Sequence, residues 1–302
     1  MWRRGIHTSV NYHFTMSCNY KCKFCFLNRP RGLKPIPFDE AKIGLKKLRD
    51  HGIRKLNFAG GEPFMHPKLL GQMLRYCKDE LEFPVVQVTT NARLLNDDWM
   101  RRFEADRTLD MMTVSIDSFK DHISRSLGRG KGDHTKYVKR AAELCQTFDV
   151  DLKINTVVCR SNLNEDMRES ISELDPFRWK VVQMYLVDGM NTNVDNPLHD
   201  ATDLAITREE FETFIKRHED VQCLQSEPNE RFIRAYLLLN ERMRFLSTSE
   251  GGKETDSILD VSVADAIEQC DFCSEKFIER DGVYFERRNH NHEYCDGDVA
   301  VD

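Results

Sequence analysis

Cys18, Cys22 and Cys25 place three thiols within eight residues, in the spacing C-x3-C-x2-C with the aromatic Phe24 before the last. Sulfurs this close in a short loop suit a metal thiolate, and cuboidal iron–sulfur clusters are held by cysteine thiolates, normally four of them. Three would leave one iron with an open coordination position, as a catalytic zinc has with its three protein ligands. A structural zinc site is the other reading of the same triad. Two further features invite chemistry. Gly60-Gly61-Glu62-Pro63 carries glycines that let backbone approach a ligand and offer it amides. Four cations, Lys55, Lys153, Arg178 and Lys180, recur on strand-like runs.

Positioning these groups requires strands that carry them to one face, and the chain has the pattern. Short β-like runs lie at 10–15, 55–58, 85–89, 111–116, 152–158 and 179–186. Helical stretches lie between them at 39–51, 67–80, 97–105, 134–147 and 164–174, several with Asn, Asp or Pro at the start and Gly near the end. Alternation of this kind predicts βα units around a parallel sheet. After Asp188 a polar Asn/Asp-rich connection leads to predicted helices at 208–220 and 229–246. A Gly251-Gly252 loop then opens an irregular C-terminal segment.

Successive strand side chains point to opposite faces, so each run divides by parity. One set is largely apolar: Val10, Tyr12, Phe14; Leu56, Phe58; Val86, Val88; Met112, Val114, Ile116; Leu152, Ile154, Val158; Trp179, Val181. The other is polar: Asn11, His13, Thr15; Lys55, Asn57; Gln87, Thr89, Asn91; Thr113, Ser115, Asp117; Lys153, Asn155; Arg178, Lys180. With helices over the apolar face, the polar set lines the lumen of a curved, incomplete barrel, whereas closed barrels fill that space with branched apolar side chains. Buried unpaired charges are avoided, and the lumen parity supplies one carboxylate, Asp117. A polyanionic ligand such as a nucleoside triphosphate would provide the missing countercharge.

Length and composition bound the answer. At 302 residues the chain fits one α/β barrel with an appended tail. Its 44 Lys+Arg against 50 Asp+Glu give a net charge of −6, which argues against a general nucleic-acid or anionic-membrane surface. Ten cysteines, no signal peptide and no long apolar run point to a reducing compartment, a cytoplasmic protein with no membrane segment and metal-binding thiols. Cys77, Cys145, Cys159 and Cys223 read as buried small hydrophobes.

The cysteine spacing resembles that of the radical S-adenosylmethionine (SAM) superfamily, in which SAM chelates the open iron of a [4Fe-4S] cluster. The resemblance implies that Cys18, Cys22 and Cys25 hold the cluster. It also implies that Gly60, Gly61 and Glu62 meet the amino group of SAM, with Asn91, Ser115 and Arg129 completing the cofactor side. Closer still, Thr8–Thr15, the cysteine loop, Asn57–Phe64, Lys153-Ile154-Asn155, Arg178-Trp179-Lys180-Val181 and Ser257–Val261 resemble the viperin family of antiviral radical SAM enzymes over nearly the whole chain. That family implies an α/β fold, a partial (β/α)6 TIM-type barrel over residues 1–188, with a mixed helical and irregular extension, 189–302, covering the nucleotide site. It implies conversion of CTP, or UTP, to the 3′-deoxy-3′,4′-didehydro nucleotide. Its nucleotide-contacting positions fall on Asn11, Lys55, Asn57, Lys153, Asn155, Arg178 and Lys180, with Lys253 near a further one, and its proton donor on Tyr236.

The partners so implied are the nucleotide, an electron donor and the iron–sulfur assembly machinery, for a monomer. The membrane-docking helix of vertebrate viperins is not expected in this chain. The ending Asp298–Asp302 and the polar insertion at 287–294 lack the family's terminal aromatic residue. No second metal site is expected at Cys270, Cys273 and Cys295. A radical SAM enzyme acting on a peptide or another small molecule, and a scaffold with a structural metal, are the alternatives.

Overall fold

The alternation of apolar and polar residues resolves into two faces of one sheet. The structure, a computed structural model, describes residues 9–25, 34–187, 191–192, 200–249 and 253–280. Strands β1 (Ser9–Thr15), β2 (Lys55–Gly60), β3 (Val85–Thr90), β4 (Met111–Ser115), β5 (Asp151–Val158), β6 (Arg178–Gln183) and β7 (Leu224–Glu227) pair in parallel in that order. Strand β8 (Leu237–Leu239) adds in parallel to the free side of β1, followed by antiparallel β9 (Arg244–Leu246) and β10 (Glu254–Ser257). The ends of this order, β7 and β10, are not paired with each other, so the barrel is partial.

Val10, Tyr12, Phe14, Leu56, Phe58, Val86, Val88, Met112, Val114, Ile154, Trp179 and Val181 are all buried in one core cluster, which is the apolar parity packed under the helices. Helix α1 (Phe38–Asp50) shows why they dock there. Ala41, Gly44, Leu45 and Leu48 form its buried stripe, and Asp39/Glu40 at the start and Lys47/Arg49 at the end complement its dipole. At Gly44 the helix comes close to Met243, whose sulfur lies 2.7 Å from where a Cβ would stand. Five more helices accompany β2–β6: α2 (Pro67–Arg75), α3 (Asp97–Arg102), α4 (Ala105–Thr108), α5 (Asp121–Ser126) and α6 (His134–Thr147); α7 (Arg168–Leu174) precedes β6. Helix α8 (Arg208–Arg217), started by a Thr207–Glu210 capping box, precedes β7, and α9 (Val263–Glu268) and α10 (Ser274–Glu279) follow β10.

The structure departs from the sequence-based expectation mainly after residue 220. Residues 229–246 are not a helix but a short 3-10 turn and the β8–β9 hairpin. Leu237–Leu239 hydrogen-bond to the open edge of β1 and are all buried, so tertiary pairing overrides the helix propensity of a leucine run. Asn240 then turns the chain, its side-chain carbonyl accepting from the amides of Arg242 and Arg244. Earlier differences are local. The helix at 67–80 widens into a π turn at Tyr76–Glu80, and Glu104, in the left-handed region, splits the stretch at 97–105 into α3 and α4. Helix α7 begins at Arg168 rather than 164, β6 ends at Gln183 rather than 186, and α5 lies where the sequence pattern predicts no helix. Cys223 is partly exposed, unlike the buried Cys77, Cys145 and Cys159. Gly251, Gly252, Cys295 and the tail at 287–302 lie outside the described residues.

Candidate active site

The cysteine loop leaves the C-terminal end of β1 and is fixed by backbone from two sides. The amide of Gly61 donates to the Thr15 carbonyl at 2.7 Å and that of Glu62 to Ser17 at 2.8 Å. A Cβ on Gly60 would overlap the Thr15 carbonyl, and one on Gly61 the Ser17 carbonyl. These glycines therefore let the β2 turn lie directly against the loop. From the other side, Lys21 and Lys23 amides donate to Gly128 and Leu127 carbonyls at 3.1 and 3.0 Å. Thus held, the side chains of Cys18, Cys22 and Cys25 are half-buried and unoxidised and line one cavity of about 400 Å³.

Burial pushes the Cys18 and Cys22 thiols up to about 11, so they become ligands only when a cationic centre displaces their protons. Among the described residues no three His, Cys, Asp or Glu side chains converge on a point fit for one metal ion. Three separate thiolates on one short loop suit a polynuclear iron–sulfur cluster, where each binds its own iron.

The other residues assigned to the cofactor side divide in two. Gly60, Gly61, Asn91, Ser115 and Arg129 line the cavity beside the cysteines. Arg129 is buried and paired with Asp117; burial would lower its pKa, but the Asp117 carboxylate outweighs that and holds the guanidinium above the ordinary arginine range. The Asn91 side-chain amide donates to Asn19 in the cysteine loop at 2.7 Å. Glu62 instead lies behind the cavity wall. Its carboxylate accepts from Thr90 Oγ1 at 2.6 Å, the Asn91 amide at 2.7 Å and the Phe64 amide at 3.1 Å, which leaves it clamping loops rather than facing the open space.

At the opposite end of the same cavity lie Asn11, Lys55, Asn57, Lys153, Asn155, Lys180 and Tyr236. Asn57 bridges two strands, donating to Asn11 Oδ1 at 2.8 Å and accepting from Thr89 at 3.0 Å. Burial, then the charges of Arg178, Arg280 and Lys180, brings Lys55 down to about 7. Burial also drives Lys153 well below the lysine range, with the Lys180 and Lys55 charges adding to it. Two expected residues do not line the cavity. Arg178, opposite Lys153 in the register, donates to Gln225 on β7 at 3.4 Å with its guanidinium 5.5 Å from the Phe177 ring, its charge still reaching Lys55 and Lys153, and Lys253 is exposed.

The countercharge also differs from expectation. Asp117 serves Arg129 rather than the lysines, and a second lumen carboxylate, Glu227 on β7, lies 2.6 Å from Lys180 Nζ. Tyr236, just before β8, donates to both Glu227 oxygens at 2.6 Å and accepts from Lys180. The Arg280 guanidinium sits 3.7 Å from the centre of the Tyr236 ring. Sequence reasoning missed Glu227 and Arg280. The available signal for Glu227 was topological, since one more βα step before residue 224 makes the polar run Leu224–Glu227 a strand.

Residues 12–174 match the radical SAM superfamily. The chain is 40% identical over 282 residues to the S-adenosylmethionine-dependent nucleotide dehydratase RSAD2 of Oncorhynchus mykiss, covering 92% of this chain and 80% of that protein. It is 31% identical over 292 residues to an S-adenosylmethionine-dependent nucleotide dehydratase of Flammeovirga pacifica, covering 93% and 96%. Among solved structures, Streptococcus suis SuiB bound to S-adenosylmethionine superposes with a TM-score of 0.61 at 19% identity, over 85% of this chain and 65% of that one. The AdoMet-bound anSMEcpe superposes with a TM-score of 0.65 at 14% identity, over 90% and 78%. The chain belongs to the radical SAM superfamily and, within it, to the viperin-like S-adenosylmethionine-dependent nucleotide dehydratases.

Proposed function

We propose that this enzyme dehydrates the ribose of a pyrimidine nucleoside triphosphate, CTP or UTP, to the 3′-deoxy-3′,4′-didehydro nucleotide, in antiviral defence. The observation that carries the reading is a single cavity with three cysteine thiols at one end and Lys55, Lys153 and Lys180 at the other. A polyanion is the ligand that relieves such clustering, because its charge restores protonated Lys55 and Lys153, which burial and mutual repulsion disfavour, while Lys180 already has Glu227. The relatives' names supply the reaction type, and the product, lacking a 3′ hydroxyl, cannot be extended by a polymerase.

Within this reading Cys18, Cys22 and Cys25 would hold the [4Fe-4S] cluster, and Gly60, Gly61, Asn91, Ser115 and Arg129 would hold SAM. Bound there, the two cofactors would supply the radical chemistry that activates the ribose C4′–H bond. The protein's own task is then to orient the ribose, keep water out and deliver one proton to the departing 3′ hydroxyl. Tyr236 suits that task. Burial foremost, helped by Glu227 and opposed by Arg280 and Lys180, raises its pKa, so the phenol arrives protonated. Lys180 and Arg280 then flank the phenolate that remains. An external donor would supply the electron that completes the product. We further propose residues 1–188 as the cofactor-binding barrel and 189–302 as the extension contributing Glu227, Tyr236 and Arg280.

The test is parallel incubation of the reconstituted enzyme with SAM, a reductant and CTP, UTP, a purine triphosphate or a peptide. 5′-Deoxyadenosine should rise above background with CTP or UTP, and a product lighter by one water should appear in the mass spectrum. No stimulation by any nucleotide would overturn the reading.

A further inference from the structure

His13 faces the cavity with its hydrogen-bonding capacity unused. It is 7% exposed, and neither ring nitrogen has a partner among the described residues. Buried polar groups are nearly always paired, and those that are not call for a ligand or another cause. The register sets His13 against Ala59 of β2, whose methyl leaves the space before the ring to the cavity that both residues line. Along β1 it lies two residues, about 7 Å, beyond Asn11 toward the cysteine loop. It therefore sits between the lysine end and the cysteine end, where neither the phosphates nor the cluster ligands belong.

The chemistry of the ring narrows the partner. Burial pushes the imidazole down to about 4, so it is neutral at physiological pH, with one nitrogen donating and the other accepting. A phosphate oxygen only accepts, whereas a hydroxyl does both. We propose that His13 holds a ribose hydroxyl of the substrate nucleotide and so aims the sugar at the cofactor end of the cavity. This rests on the nucleotide reading above and adds to it a residue that orients the reacting ring.

The test is binding to the cluster-loaded enzyme with SAM and no reductant, so that nothing turns over. Calorimetric titration would compare the ribonucleoside triphosphate with its 2′-deoxy and 3′-deoxy analogues. The unmodified enzyme is expected to bind at least one analogue about tenfold more weakly. His13→Ala should bind the ribonucleotide and that analogue alike, and His13→Gln, which keeps a donor and an acceptor, should recover part of the difference. Undiminished discrimination in His13→Ala would overturn the proposal, as would a loss falling on SAM affinity, since the adenosyl ribose also carries hydroxyls. If the variants do not fold, the unmodified enzyme decides: equal affinity for all three nucleotides removes His13 from this role while leaving the nucleotide reading intact, and no nucleotide binding overturns both.

Discussion

The Tyr236 hydroxyl and the Glu227 carboxylate meet across the open seam of the barrel, 2.6 Å apart. Their strands are not hydrogen-bonded to each other: β8 lies beside β1 and β7 beside β6, with the whole parallel sheet between them. The seam that backbone leaves open is thus bridged by side chains, and Lys180 reaches the same point from β6. Burial would raise the Glu227 pKa, but Lys180 and Arg280 outweigh it and keep the carboxylate ionised. The phenol therefore keeps its proton and donates it in a hydrogen bond to an anion until a substrate hydroxyl competes for it.

That arrangement makes the order of events testable. Tyr236→Phe should still bind nucleotide and SAM and still cleave SAM, because hydrogen abstraction precedes proton donation. Its defect should appear as 5′-deoxyadenosine in excess over the didehydro nucleotide, where the unmodified enzyme yields the two nearly one to one. A general acid contributes about 10²–10⁴-fold, readily measured if the melting temperature is unchanged. A one-to-one ratio at normal rate would leave Tyr236 without a chemical role.

Lys153→Ala or Lys180→Ala should raise the nucleotide KM about ten- to a hundredfold, the worth of a charge-assisted phosphate contact of about 1.5–3 kcal/mol. Arg178→Ala should raise it less, because that guanidinium does not line the cavity and is engaged by Gln225. Steady-state kinetics on the three variants check the ranking, and unchanged KM in both lysine variants would place the triphosphate elsewhere.

Lys55 predicts a proton uptake. In the ligand-free fold its value is about 7, below that of the unfolded chain, so the unfolded state holds more protons between about pH 7 and the ordinary lysine range. Stability should therefore rise with pH through that window. A bound polyanion restores the charged form, so nucleotide binding at pH 8 should take up a proton, and affinity should fall as pH rises, by at most about tenfold per unit for one group. Calorimetry in buffers of different ionisation enthalpy measures the uptake, and Lys55→Met should reduce it, leaving the part that Lys153 contributes.

The barrel and its lumen were legible because strand parity is a local property: the alternation in 10–15 or 152–158 separates Val10 from Asn11 and Ile154 from Lys153 without knowing any partner. The seam was not. Leu224–Glu227 is too short and polar to announce a strand, and Leu237–Leu239 carries no alternation at all; both become strands only because β6 and β1 offer open edges. Glu227 reaches the site through that long-range pairing, and Arg280 through its bond to the Ala235 carbonyl beside β8. Glu62 shows the converse, a motif residue found by spacing whose carboxylate the fold spends on Thr90, Asn91 and Phe64.

The last prediction separates the cysteine ligands from the loop that presents them. Cys22→Ala should abolish SAM cleavage with the barrel still folded, since its thiol is the group removed and the loop's backbone bonds do not involve it. Gly128→Ala tests the support instead. Gly128 has φ +79° and accepts from the Lys21 amide, and a Cβ there would overlap the Lys21 carbonyl. The substitution should displace the loop and lower the iron bound on reconstitution severalfold with all three cysteines in place. Backbone strain alone, about 1–2 kcal/mol for a left-handed residue, also lowers stability and needs a control. Gly52, at φ +99° with open space around its Cβ position, supplies one. Gly52→Ala should lose comparable stability yet bind iron normally. Equal iron loss in both variants would trace the defect to general destabilisation, whereas loss confined to Gly128→Ala would assign it to the contact with Lys21.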